Sequence, residues 1–293
     1  MKILLDKYPM GSLPNQKTAG RYIDEYLYDN MKILSKAIVQ DNTFLGFCSS
    51  STLEVGTGKS VFFQQIGEAW TDMVNKMHGL NLTFGINNIL FRPKKLIEKA
   101  EALEFPKYSC VILDEWEDAH YWSELGMTLR QFFRKCRQLN LFLLIICPNF
   151  FQIPMNYAIS RSIFFIDVRF ETNFERGFFS FYNFKKKKEL YLKGKKTQDY
   201  SIVRPDFYGR FTDGYAVPRE LYLKAKLDDL KEAETSKKIP TEKEVTIRLF
   251  KQIHQNLPKI SIKDLAVGFL VSSRTLFKWL ANDKSEENEG VEV

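Results

Sequence analysis

Between an apolar run at 43–48 (TFLGFC) and a segment of helical periodicity at 60–76, the chain carries Gly56-Thr57-Gly58-Lys59-Ser60, followed by Val61. These residue types suit a polyphosphate. Glycines let consecutive backbone N–H groups turn inward around a phosphate, a lysine reaches its outer oxygens, and a serine hydroxyl can ligate Mg²⁺. Gly56, Thr57, Gly58, Lys59, Ser60 and Val61 are therefore the expected ATP-binding residues, with Ser60 on the metal. The full pattern asks for another glycine five residues before Gly58, where Leu53 stands. Taken alone, the pentapeptide also fits a glycine turn that caps a helix. Fifty-five residues after Lys59, Val111-Ile112-Leu113-Asp114-Glu115 closes a second apolar run. A carboxylate at a strand end can complete a Mg²⁺ shell, and a following glutamate can accept a proton from an attacking water. Asp114 is thus the expected metal residue and Glu115 the expected catalytic base. Glu117 and Asp118, just beyond, fit a solvated loop.

Three arginines in TLRQFFRKCRQLN, namely Arg130, Arg134 and Arg137, share a face by their i, i+4, i+7 spacing. That face could meet the γ-phosphate of a neighbouring copy, line a DNA channel, or be a solvated helix surface. After the apolar run 141–147, Asn149 stands where a γ-phosphate sensor is expected, and it equally fits a turn. Arg161 and Arg176 are secondary finger candidates.

The elements that must position these residues read as short, non-alternating apolar strands separated by helices. Strand material lies at 43–48, 82–91, 108–113, 141–147 and 162–168, with helices at 60–76, 94–103 (after Pro93) and 128–139. That pattern predicts an α/β fold whose parallel sheet is covered by helices on both faces. Residues 1–40 read as a helical lead-in with Tyr22, Tyr26 and Ile33 on one face, and 41–170 as the ATPase core. Residues 171–226 read as a basic, aromatic, β-rich extension in which FFSFYNF-KKKK-ELYLKGKK forms a hairpin. From Arg176 to Lys196 there are eight basic residues against one acid, Glu189, so this stretch alone equals the chain's net charge of +7. Lys185, Lys186, Lys187 and Lys188 could bind DNA phosphates or acidic lipid, or be solvated. Residues 227–239 read as a linker or solvated helix, 240–284 as a small all-helical module, and 285–293 as a disordered acidic tail.

Several function classes are excluded. Three histidines, no HExxH and no CxxC leave no zinc or redox motif, and there is no GxSxG. The four cysteines read as buried thiols of a reducing compartment. The opening MKILLDKYPM lacks a signal-type apolar stretch, and the longest apolar run is far short of the ~20 residues of a membrane span. The expectation is a cytoplasmic protein without a membrane span.

The order of these parts resembles the HerA/FtsK group of P-loop ATPases over roughly 43–168. The likeness rests on VGTGKS, VILDEW and RKCRQLNLFLLII. It implies a RecA-like ASCE core, Mg²⁺-dependent ATP hydrolysis, translocation of double-stranded DNA, and a homo-oligomer, usually a hexameric ring. By position it makes Lys59 and Ser60 the phosphate and Mg²⁺ residues of Walker A, Asp114 and Glu115 the Walker B pair, and Arg137 the arginine before the sensor strand. Leu53 in the loop and Pro148-Asn149 in place of the sensor glutamine depart from the group. Near the C-terminus, SIKDLAVGFLVSSRTLFKWLAND is similar to a helix-turn-helix. Leu265, Ala266 and Phe269 would lie on the inner face of its first helix, and Ser273, Arg274, Phe277 and Lys278 on the reading helix. Leu270 replaces the usual turn glycine. Two other readings join a nucleotide to DNA: an AAA+-like replication initiator or helicase loader, with a helical lid after the core, and a nucleotide-switched DNA-binding regulator.

Overall fold

A computed structural model of the chain describes residues 23–52, 56–114, 132, 136–170, 175–238, 242–256 and 260–286. It divides into two compact units, Met1–Asp229 and Leu230–Val293. The first is built on one seven-stranded sheet. In chain order its strands are β1 (Phe44–Ser49), β2 (Ile89–Leu90), β3 (Cys110–Asp114), β4 (Phe142–Ile146), β5 (Phe164–Arg169), β6 (Phe178–Tyr182) and β7 (Phe207–Arg210). Their spatial order is β2-β3-β4-β1-β5-β6-β7. The first five run parallel, and β6 and β7 continue the sheet antiparallel.

Alternation along the central strands feeds two cores, as a sheet covered on both faces requires. Phe47, Val111, Leu143, Ile145 and Phe165 pack on one face with α3 (Pro93–Glu101), the turns at 150–161 and α4 (Phe184–Gly194). Cys48, Ile112, Leu144 and Ile166 pack on the other with α1 (Glu25–Ile38) and α2 (Lys59–His78). Pro93 occupies the first turn of α3, where its missing N–H costs nothing. The last helix of this unit, α5 (Arg219–Lys238), crosses the boundary between the units.

The structure departs from the sequence reading in three places. The expected hairpin over 178–196 is a strand followed by a helix. Asn183 accepts from the N–H groups of Lys185 and Lys186, which starts α4, and Lys187, Leu190, Tyr191 and Gly194 bury one helical face at i, i+3, i+4, i+7. The face of α1 turned to the core carries Leu27, Met31 and Ile38, while Tyr26 and Ile33 are exposed. Asp24, accepting from Tyr26 N and Leu27 N, caps the helix and sets that phase. Of 82–91 only Ile89–Leu90 is strand. The segment 227–239, read as a linker or solvated helix, is helical as far as Lys238, as the second half of α5. Residues 1–22, most of 128–139 and 287–293 lie outside the described residues.

Beyond the end of α5, the described residues of the second unit form three helices, α6 (Glu242–Asn256), α7 (Ile262–Gly268) and α8 (Ser273–Glu286). Its core is Phe250, Leu265, Ala266 and Leu276, with Phe269 and Val271 packed against it. Ser272 caps α8 by accepting from Thr275 N at 3.2 Å. Leu270 takes φ +55° in the turn and is 93% exposed, a left-handed conformation that a non-glycine residue adopts at a cost of about 1–2 kcal/mol. Among the described residues no helix is long and apolar enough to cross a membrane.

Candidate functional site

The loop after β1 and the carboxyl end of β3 meet above the sheet, beyond the carboxyl ends of the parallel strands. Adjacent strands β1 and β4 send their connections in opposite directions there, which opens a crevice suited to a ligand. The crevice is a cavity of about 330 Å³ whose walls include Gly56 to Val61, Asp114 and the residues 146–148 that end β4. All the sequence-predicted nucleotide residues and the metal carboxylate are therefore brought together. Glu115 lies outside the described residues.

Gly56 and Gly58 hold φ +87° and +98°, conformations that favour glycine. A Cβ at Gly58 would also crowd the Phe211 ring, at 3.0 Å. Gly58 is the N-cap of α2, contributes no side-chain cap, and is followed by no acidic residue in the first turn. The first N–H groups and the positive end of a 20-residue helix are thus left for an anion. Lys59 Nζ lies 3.4 Å from Thr57 Oγ1, and among the described residues it forms no ion pair.

Asp114, 2% exposed, accepts on both oxygens. Ser60 Oγ donates to Oδ1 at 2.9 Å, and Tyr222 Oη donates to Oδ2. Burial, and next the Asp114 charge, drive the Tyr222 phenol well above its ordinary range, so it remains a donor. The start of the loop is held from behind. Ser51 N donates to Asp167 Oδ1 at 2.6 Å, and burial pushes the Asp167 carboxyl up to about 6.

Comparison with protein-family models and with curated proteins gives no match.

Other expected residues fall elsewhere. Asn149 does not line the cavity. Its Oδ1 accepts from Phe151 N at 2.8 Å and Tyr200 Oη at 3.2 Å, and its Nδ2 donates to Gln198 at 2.7 Å. It caps the turn Phe150–Gln152, so a direct sensor contact is not what the geometry presents. Tyr200 also bonds Ser49 at 3.0 Å, which ties the ends of β1 and β4 together. Arg137 stands on the turn Cys136–Leu139 that leads into β4, at the end of the sheet opposite the loop. Arg161 is likewise at the amino end of β5. Arg176, secondary in sequence, is the arginine that lines the cavity.

Three cavity residues escaped sequence reasoning altogether, Tyr215 and, one helical turn apart on α5, Tyr222 and Lys226. The i, i+4 spacing of the last two was visible, but nothing local marks which face of a charged helix turns inward. The four lysines do not act as one patch. Lys185 and Lys188 are exposed, Lys186 pairs with Asp206 at 3.6 Å, and Lys187 is fully buried. Lys187 Nζ donates to Ala158 O and Ile159 O at 2.7 and 2.8 Å. In the second unit Arg274 and Lys278 are exposed on α8 beside Phe277, and Ser273 is half-buried. The described cysteines Cys48, Cys110 and Cys147 are buried and not in disulfides, and burial drives the thiols of Cys48 and Cys110 up, away from nucleophilic use. Among the described residues no group of three or more His, Cys, Asp or Glu could hold a metal ion. A cation here would rest on Ser60, Asp114, water and phosphate.

Proposed function

We propose that the chain is a Mg²⁺-dependent ATPase with a RecA-like core, acting on double-stranded DNA as a motor or DNA-associated ATPase of the HerA/FtsK type. The observation that carries this reading is the apposition of Ser60 and Asp114 at 2.9 Å, beside an uncapped helix start and a lysine without an ion-pair partner among the described residues. Two sequence motifs 55 residues apart supply these groups, and the fold places them in one cavity. A hydroxyl and a carboxylate side by side fit Mg²⁺, which keeps several waters and takes one or two protein oxygens together with phosphates. When bound, the ion would neutralise charge on the outer phosphates. Lys59 would hold those phosphates, Ser60 and Asp114 would hold the metal, and Glu115 would accept the proton of the attacking water. Strand β4, lying between β1 and β3, supports the RecA-like reading. The AAA+-like alternative calls for a helical lid directly after the core, whereas here β6 and β7 prolong the sheet.

DNA enters through two basic features, the exposed lysines of α4 and the net positive helix-turn-helix-like unit, and the resemblance adds a homo-oligomer, as a hexameric ring. The test is turnover with and without duplex DNA. Lys59→Ala is expected to abolish MgATP binding. Glu115→Gln is expected to keep binding and stop hydrolysis, because an amide cannot take the water's proton. Unchanged turnover in both variants would remove the assignment.

A further inference from the structure

Arg176 reaches the phosphate cavity from its own chain. A Cβ placed on Gly56 would come within 3.5 Å of Arg176 Nη2, so the guanidinium lies against the glycine loop. The neighbouring acid does not neutralise it, since Glu175 is held by Arg210 Nη2 at 2.9 Å. Besides the loop, Arg176 meets the face of Phe170, 5.8 Å from its guanidinium carbon, and among the described residues it forms no ion pair. Lys226 enters the same cavity from α5. The described charged residues on the cavity wall are therefore Lys59, Arg176, Lys226 and Asp114. By contrast, Arg137 and Arg161 lie at the opposite end of the sheet.

We infer that Arg176 binds the outer phosphates of a nucleoside triphosphate in cis, so that the site is complete without an arginine from a second copy. The inference rests on the phosphate-site reading above. A guanidinium offers two parallel N–H donors to a phosphate and does so whether or not a neighbour is present. Together with Lys59 it lines the cavity, where it would meet the charge that accumulates on the outer phosphates during transfer. The ligand class this selects is a triphosphate over a diphosphate, since the charge that Arg176 would meet accumulates on the γ-phosphoryl group, which a diphosphate lacks.

The experiment compares Arg176→Ala, Arg176→Lys and Lys59→Ala in the full chain. Arg176→Ala is expected to weaken MgATP by about tenfold, MgADP by less, and turnover by about a thousandfold, with the melting temperature unmoved because the side chain is exposed. Arg176→Lys should recover binding more than turnover. Mixing Arg176→Ala with Lys59→Ala chains separates cis from trans. In a cis arrangement no mixed assembly holds a complete site, so no activity returns. Activity returning on mixing would overturn the inference, as would wild-type affinity and turnover in Arg176→Ala while Lys59→Ala is inactive. Unaltered MgATP binding in Lys59→Ala would instead overturn the phosphate-site reading itself.

Discussion

Both oxygens of Asp114 accept a hydroxyl, Oδ1 from Ser60 and Oδ2 from Tyr222. The first bond suits a metal site, because the serine can donate to the carboxylate while its lone pair faces the ion. The second competes with any metal-bound water that would donate to Oδ2. Tyr222→Phe is therefore expected to lower the Mg²⁺ concentration needed for half-maximal ATP binding, read by titrating Mg²⁺ at fixed ATP. It should also destabilise the fold by about 1.5–3 kcal/mol, because a buried carboxylate loses a partner. Lys187 offers a test by pH. Burial, and next the Lys188 charge, bring its ammonium down from 10.5 to about 7. The unfolded chain then holds a proton that the folded chain has released, so stability rises with pH between those values and is lost as pH falls through about 7. Lys187→Met should flatten this rise, measured as the difference in melting temperature from wild type between pH 7 and 10.5. An equal slope in both proteins would show that Lys187 does not titrate there.

At the scale of elements, α4 divides its lysines by direction. Lys185 and Lys188 face solvent, while Lys186 and Lys187 serve the fold. Replacing Lys185 and Lys188 with Ser should weaken binding to every duplex alike and lower the slope of log K against log[salt] by about 0.9 for each phosphate no longer neutralised. Including Lys187 in such a set would confuse unfolding with weaker DNA binding. The parallel strands were legible because a strand buried on both faces must be a short apolar run, and β1, β3, β4 and β5 fall within a residue or two of their apolar runs. The loop and Asp114 were legible because their chemistry needs particular residue types at particular ends of elements. The helix α4 was not, since its buried face includes a lysine whose charge disguises a helical period as a basic tip. Nor was the role of α5, whose site residues sit among exposed leucines and charges, with the inward face chosen by the distant Asp114, Arg92 and Lys95.

Across the whole molecule, the cavity walls end at Lys226, and the three-helix core of the second unit begins at α6. Phe250 is completely buried in a core of four residues, and Phe250→Ala should cost about 3–5 kcal/mol, enough to unfold a unit of this size. The expected result in the full chain is retained ATPase activity, with preference among DNA sequences lost and general affinity for duplex partly kept. Sequence preference surviving that substitution would assign α8 to assembly instead of reading.

The ends of the sheet bear on how copies could join. Its first strand, β2, has two residues and its last, β7, has four, and each presents too short a row of backbone groups to template a partner strand. Copies of this chain are thereby guarded against fusing into one continuous ladder. As far as the described strands go, a ring would close through side-chain faces, which can slip, reset and separate as ligands come and go, where a shared backbone ladder would lock.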